Sequence, residues 1–346
     1  MFFTKKQKTR GTLSIISCGS GRPFALKVFR YLKQIIREGK TREDVRFILT
    51  KETHFSNTEV KAEILESIRG CDAYIIQDVE NSVTGFSVDQ NLRSLNTMVD
   101  AAWRSDAEYI TAILPVFPYS RQDKSISREG VSAANVAQEI ESYKANRVIT
   151  LDIHNTAIAG FFRLAKFENL HASKNLIAFI RKNVDCRNLI VIAPDLGGSK
   201  RAEYYASQLK TDLGFLYKKR DYSMPNTVAE SVLQGDVKGK DVLLIDDMVD
   251  TAGTLVSSVR MLKEKEGAKN IYFACSLPLF NHPAVERLNE AYEKGYIKAV
   301  IGTDAVYHGE GFCLKNPWYK QVSVAKYFAR VIYNINHYRS ISELLK

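Results

Sequence analysis

The segment Val242-Leu243-Leu244-Ile245-Asp246-Asp247-Met248-Val249-Asp250-Thr251-Ala252-Gly253-Thr254-Leu255 carries the most specific chemistry in this sequence. An apolar run of strand length ends in two carboxylates, and a turn of small residues and a helical pattern follow. Ligands of open α/β sheets bind outside the carboxyl ends of the strands, so a site belongs here. The turn from Asp250 to Thr254 directs backbone N–H groups and two hydroxyls at one spot over a helix N-terminus, which makes a cradle for phosphate. Asp246 and Asp247 do not suit phosphate. They suit a sugar diol, or a Mg2+ lying between sugar and phosphate. The bland alternative, a solvated acidic turn before an ordinary N-cap, sits poorly with two acids directly behind a four-residue apolar strand.

Five further segments hold residues of similar use: Phe55-Ser56-Asn57-Thr58-Glu59, Phe117-Pro118-Tyr119-Ser120-Arg121-Gln122-Asp123, Leu151-Asp152-Ile153-His154, Pro194-Asp195-Leu196-Gly197-Gly198 and Lys218-Lys219-Arg220-Asp221-Tyr222-Ser223. Alone, His154 reads as a core histidine and the charges from Lys218 to Asp221 as a solvated face. Together the segments say more. The Val242–Leu255 segment resembles the phosphoribosyl-pyrophosphate loop of type I phosphoribosyltransferases and of ribose-phosphate pyrophosphokinases. Phe117–Asp123 resembles the pyrophosphokinases' FPYxRQD segment, Leu151–His154 their LDLH segment, Phe55–Glu59 their FSDGE segment and Pro194–Gly198 their PDxGG segment. Transferases that merely consume the product share only the loop. The resemblance runs from about Phe55 to the C-terminus, with the motifs in order.

This resemblance implies a Mg2+-dependent transfer of the β,γ-diphosphoryl group of ATP to the 1-hydroxyl of ribose 5-phosphate, with release of AMP. Carried over by position, it makes Phe55, Asn57, Glu59, Arg121, Gln122 and Asp123 the ATP-binding residues. It gives ribose 5-phosphate to Asp246, Asp247, Asp250, Thr251, Ala252, Gly253 and Thr254. His154 and Asp195 match the metal-associated positions, and His154, Lys218 and Arg220 the catalytic ones. Lys218 and Arg220 belong to the family's flexible loop, where they stabilise charge on the transferred phosphate. Asp152 either orients His154 or binds metal.

These roles also make sense as chemistry. In phosphoryl transfer the protein mostly positions reactants and neutralises charge. Mg2+ keeps several waters, so one or two protein ligands suffice. Arg121 can fork across phosphate oxygens as Lys cannot. Three departures from the family pattern stand out: Asn57 where Asp is usual, Leu196 where a polar residue is usual, and KKRDYS in place of the commoner KRRPR. Asn57 lacks charge and both donates and accepts, which bears on nucleotide preference.

The elements that must hold these residues follow from the apolar pattern. Leu13–Ile16, Val45–Leu49, Ala73–Gln77, Tyr109–Leu114 and Val148–Leu151 read as buried strands, separated by helical patterns at Phe24–Glu38, Glu59–Ser67, Val88–Ser105 and Ser132–Tyr143. A second series has strands at Leu189–Ala193, Phe215–Tyr217, Val242–Ile245, Asn270–Ser276 and Lys298–Gly302. Its helices are Lys174–Asn183, Lys200–Leu209, Gly253–Glu266 and Ala284–Lys294. Such alternation means parallel α/β sheets. The expected architecture is therefore two phosphoribosyltransferase-like α/β domains, each a mainly parallel sheet flanked by helices. The first spans residues 1–165 on the ATP side and the second 166–324 on the ribose 5-phosphate side. The junction falls within Phe161–Lys174, and residues 325–346 pack back on the first domain. Lys218–Asn226, with four charged residues, is expected to close over bound substrates.

Composition sets the outer limits. The 346 residues, 45% hydrophobic and 25% charged, suit a globular protein and exclude a disordered or low-complexity chain. No apolar run has the ~18–20 residues of a membrane helix. The net charge of +10 favours anionic partners, whether phosphorylated metabolites, nucleic acid or an acidic membrane surface. Apart from Lys5–Arg10 the basic residues are spread out and no nucleic-acid module is recognisable, so neither nucleic acid nor membrane is expected as a partner. Five cysteines, odd in number, far apart and without a CxxC, fit a reducing cytoplasm. The family resemblance further implies a homo-oligomer, dimer-based and up to a hexamer. Two other readings carry the same fold: an inert regulatory relative, which should show damage at the motifs, and a type I phosphoribosyltransferase, which leaves Phe117–Asp123 unexplained.

Overall fold

The computed structural model describes residues 9–39, 44–219 and 230–345. They form two compact units: one reaching to His171 and including Asp304–His308 and the chain from Val324 on, the other made of Ala172–Thr303 and Gly309–Ser323.

The first unit contains β1 (Thr12–Ser17), β2 (Val45–Phe47), β3 (Thr50–His54), β4 (Val60–Ile64), β5 (Cys71–Ile76), β6 (Tyr109–Ile113), β7 (Arg147–Leu151) and β8 (Lys166–Leu170). Six of them form one parallel sheet in the order β2-β1-β5-β6-β7-β8. Its central strand β5 is buried along its whole length, as a parallel strand covered on both faces must be. Helices α1 (Arg22–Glu38), α2 (Val88–Arg104) and α3 (Ser132–Ser142) connect them. Proline at the start of α1 supplies a preset helical φ, and Ser87 with Gln90 closes a capping box on α2.

In the second unit β9 (Leu189–Ala193), β10 (Asp212–Lys219), β11 (Glu230–Gln234), β12 (Asp241–Val249), β13 (Ile271–Pro278), β14 (Ala299–Thr303) and β15 (Tyr319–Val322) run in the order β11-β10-β9-β12-β13-β14-β15. All neighbours are parallel except β10 and β11. Its helices are α4 (Ser173–Asn183), α5 (Ser199–Leu209), α6 (Gly253–Glu264), α7 (Ala284–Glu293) and the short α8 (Phe312–Lys315). Ile190, Ile192, Val242, Leu244 and Phe273 from the strands meet Leu255 and Val259 of α6 in its core. The chain then returns to the first unit, where α9 (Ala325–Asn336) packs on α1 with the Phe24 and Phe328 rings edge to face at 5.2 Å. No helix among the described residues is long and apolar enough to cross a membrane.

The structure departs from the sequence reading in four places. Residues 59–67, expected as a helix, instead give β4, paired antiparallel with β3. Val60, Ala62 and Ile64 alternate with Lys61 and Glu63, and it is the pairing with Thr50–His54 that decides over helix propensity. β3, β8, β11 and β15 were not anticipated; β8, β11 and β15 lie at sheet edges, where exposed polar side chains blur the apolar signal. β8 pairs with β7, so Lys166–Leu170 belongs to the first sheet, although the expected division gave it to the second domain. Finally, β12 continues past Ile245 to Val249, so Asp246 and Asp247 stand on the strand itself.

Candidate active site

In the second unit the chain runs from β9 through α5 to β10 on one side, then crosses to β12 and proceeds through α6 to β13 on the other. The order reverses between β9 and β12. Open α/β sheets have their ligand crevice at such a reversal, outside the carboxyl ends of the strands. Asp195 lies just beyond the end of β9, exposed, with its Oδ1 accepting the Gly198 N–H at 2.9 Å. Asp246 and Asp247 stand on neighbouring β12. Asp247 is 5% exposed, and its N–H donates to Asp246 Oδ1 at 2.8 Å. Burial, and then the charge of Asp247, push the Asp246 carboxyl up to about 7. Arg201, in the first turn of α5, partly offsets this: its Nη1 is 3.5 Å from Asp246 and 4.0 Å from Asp247.

The turn after β12 presents Asp250, Thr251, Ala252, Gly253 and Thr254. Ala252 caps α6 in the left-handed region at φ 58°, and no side chain caps the helix. The first amides of α6 and the exposed Thr251 and Thr254 thus face outward together, as a phosphate cradle requires. The cradle is braced from outside. Arg287 Nη1 donates to the Thr251 carbonyl at 2.9 Å, and Asn281 Nδ2 to Asp250 Oδ1 at 2.9 Å. A Cβ on Gly253 would come within 3.2 Å of that guanidinium. Lys218 lies on β10, paired with Ser231 of β11. Arg220 and the rest of the expected catalytic loop, to Asn226, lie outside the described residues.

The first unit gathers two of its segments at the carboxyl ends of neighbouring strands. Arg121, Gln122 and Asp123 follow β6, and His154, exposed, follows β7. The Asn155 amide donates to Asp123 Oδ2, tying the two loops together. Gln122 Oε1 accepts from Ser132 at 2.7 Å at the start of α3. Asp152, at φ 42°, pairs through Oδ1 with His171 Nδ1 at 2.8 Å. Phe55, Asn57 and Glu59 form the exposed tip of the β3–β4 hairpin, Phe55 being 48% exposed. Asn57 Oδ1 accepts the Glu59 N–H at 3.2 Å, so the oxygen is partly spent on the turn.

Several contributing residues escaped the sequence reading. Arg201, Asn281 and Arg287 come from elements distant in sequence, and only the fold brings them to the loop. Gly19-Ser20-Gly21 follows β1, at the point where the first sheet reverses its order between β1 and β5. Two glycines directly after a buried strand were the available signal. A Cβ on Gly21 would lie 2.3 Å from the Ile76 carbonyl oxygen, so only glycine lets the turn approach β5.

Switch-point crevices with an acidic strand end and an open helix N-terminus define the chain as a protein of phosphoribosyltransferase type. Comparison with known sequences narrows this. The N-terminal domain of ribose phosphate pyrophosphokinase matches residues 13–143, and the phosphoribosyl transferase domain matches residues 166–316. Ribose-phosphate pyrophosphokinase from Chlorobaculum tepidum is 40% identical over 298 residues, 85% of this chain and 86% of that protein. Ribose-phosphate pyrophosphokinase A from Dictyostelium discoideum is 39% identical over 84% of this chain and 87% of its own length. The crystal structure of phosphoribosylpyrophosphate synthetase from Mycobacterium smegmatis superposes with a TM-score of 0.81 at 31% identity, covering 94% of this chain and 98% of that one. The chain belongs to the ribose-phosphate pyrophosphokinase family of enzymes.

Proposed function

We propose that this chain transfers the diphosphoryl group of ATP to the 1-hydroxyl of ribose 5-phosphate, giving 5-phosphoribosyl 1-diphosphate and AMP. The observation that carries this reading is the pairing, at one switch point, of the Asp246–Asp247 carboxylates with the uncapped amino end of α6. The cradle suits the 5-phosphate and the carboxylates suit the 2- and 3-hydroxyls, so a phosphorylated pentose is held at both ends with its 1-hydroxyl free. Arg121, Gln122 and Asp123 are the residues for ATP phosphates, and the hairpin tip with Phe55, Asn57 and Glu59 those for the adenosine. Lys218 and Arg220 take up charge on the group in transfer. The two sides of the reaction then divide between the first unit, for ATP, and the second, for ribose 5-phosphate.

The donor chemistry fits Mg2+. No group of three or more His, Cys, Asp or Glu among the described residues is arranged to hold a metal by itself. Asp195 is nevertheless an exposed oxygen donor at a strand end, and Mg2+ commonly completes its shell with water and substrate phosphates. Asp195 and His154 are the residues that would hold it, Asp195 by oxygen and His154 by the less favoured nitrogen. When bound, the ion would neutralise charge on the triphosphate. All five cysteines are free thiols, which supports a cytoplasmic setting. A dimer-based homo-oligomer goes with the family reading.

The deciding experiment is coupled detection of AMP from ATP plus ribose 5-phosphate, with Mg2+ and with EDTA. We expect AMP to form only when sugar phosphate, ATP and Mg2+ are all present. A purified, folded protein that forms none would return the chain to the inert regulatory reading.

A further inference from the structure

The first unit holds a cavity at the opposite end of its sheet from Arg121 and His154. About 590 Å3 in volume, it lies at the amino ends of β6, β7 and β8 and is lined by the first residue of each strand, Tyr109, Arg147 and Lys166, with Arg10, Lys144 and Trp103 around them. Arg147 and Lys166 are register partners on parallel strands, so their side chains leave the same face of the sheet. Cavities of roughly 300–1,000 Å3 hold small-molecule ligands, and the size suits one.

The electrostatics single the cavity out. Arg147 is only 7% exposed. One of its nitrogens bonds Glu168, while its Nε is buried without a hydrogen-bond partner among the described residues. The Nε of Arg10 is buried and unpartnered in the same way. The Arg10 guanidinium lies over the Tyr109 ring at 4.8 Å and the Tyr338 ring at 5.4 Å, which fixes its plane. Burial, reinforced by the charge of Arg10, pulls the Arg147 guanidinium below its ordinary value.

The carboxylates nearby leave these donors incompletely served. Glu141 Oε1 accepts the N–H groups of Arg163, Leu164 and Ala165 at 2.8, 2.7 and 2.7 Å. Asp72 Oδ2 accepts from the Tyr74 hydroxyl and the Asn336 amide, each at 2.9 Å, and burial raises its carboxyl, which weakens it as a counter-ion. Glu108 stands exposed on the lining. Unpaired buried donors on charged groups are costly, and a charge-assisted bond to an anion satisfies them best. Beside them the rim is apolar: Trp103 is 48% exposed and Leu164 84%.

We propose that this cavity binds a small phosphate-bearing ligand with an aromatic body, its phosphate among Arg10, Lys144, Arg147 and Lys166 and its ring against Trp103. The proposal stands independently of the substrate sites. Phenyl phosphate is a suitable probe, with phenol and inorganic phosphate as controls, and the full chain carries its own reporter. Of the two tryptophans, Trp103 faces the cavity and Trp318 is fully buried in the other unit. Titration should give a saturable change in tryptophan fluorescence that phenol does not reproduce and that disappears in Trp103→Phe. Isothermal titration of Lys144→Glu/Lys166→Glu, or of the milder Lys144→Gln/Lys166→Gln pair, should show binding weakened at least about tenfold, with an unchanged thermal melt. Thr254→Ala, in the other unit, should keep the fluorescence response. The proposal fails if the signal survives in Trp103→Phe, if phenol gives it equally, if a folded double variant binds as the parent does, or if Thr254→Ala abolishes it.

Discussion

Replacing Asp246 by Asn should make the protein more stable at pH 8 and leave it nearly unchanged at about pH 4. Asp246 is raised from its ordinary 3.8 to about 7, first by burial and then by the charge of Asp247. Because the folded state binds its proton more tightly than the unfolded chain, that contribution to stability is complete below about 3.8. It is lost as the pH rises through about 7. Each pH unit corresponds to about 1.4 kcal/mol, so the full effect would be roughly 4 kcal/mol for an unscreened group. The side chain is 31% exposed and Arg201 stands 3.5 Å away, which reduces the figure to roughly 1–2 kcal/mol. Asn retains an oxygen to accept the Asp247 N–H, now made at 2.8 Å, so the local geometry survives the exchange.

Thermal melts of both proteins across this pH range read this difference directly. At about 2–4 °C per kcal/mol, Asp246→Asn should melt a few degrees higher than the parent at pH 8, with the gap about halved at about pH 5.5 and closed at about pH 4. Ribose 5-phosphate should raise the melting temperature of the parent and do so far less for the variant, because ligand stabilisation scales with affinity. Stability would thus rise while sugar binding falls, the exchange expected of a residue kept for its site rather than its fold. A variant destabilised equally at both pH values would refute the reasoning, since Asp246 would then be an ordinary structural carboxylate.

Arg220→Ala should lower kcat by about 10²–10³ with little change in either substrate KM, because a group acting on charge in the transition state contributes little to ground-state binding; initial-rate kinetics check this, and an unimpaired kcat would make Arg220 a surface residue. Thr254→Ala removes an exposed hydroxyl from the cradle at α6 and should raise the KM for ribose 5-phosphate while leaving ATP binding without sugar unchanged by titration. Weakened ATP binding instead would mean the two substrates have been assigned to the wrong units.

How much of this was legible in the sequence depends on the range of the interaction that decides each feature. The strands through Ile15, Ile75, Ile192 and Leu244 are buried on both faces, so composition alone announces them, and the turns that follow them carry their motifs in consecutive residues. The hairpin was misread because residues 59–67 contain too few apolar positions to separate a period of two from one of 3.6. Its strand character comes from pairing with Thr50–His54, a partner the local pattern does not contain. The edge strands share this problem. β15 is a strand because Tyr319 and Val322 lie in register with Val300 and Thr303, while its exposed middle residues Lys320 and Gln321 read as loop.

The same distinction runs through the site. Asp246, Asp247 and Thr254 could be grouped from the sequence because their neighbourhood is local: a strand end and the turn after it bring them together. Arg201 was missed because its role exists only across the gap between β9 and β12, and nothing in residues 199–209 distinguishes it from a solvated helix residue. Arg287 and Asn281 reach the cradle from beyond the next strand, β13, and brace Thr251 and Asp250 without belonging to any motif. A motif therefore names the groups that would touch substrate, and the fold adds those that hold them still. For this loop the second group consists of an arginine beside the diol carboxylates and an arginine and an asparagine behind the phosphate turn. On the proposed function, replacing any of these three should lower activity with every motif residue intact.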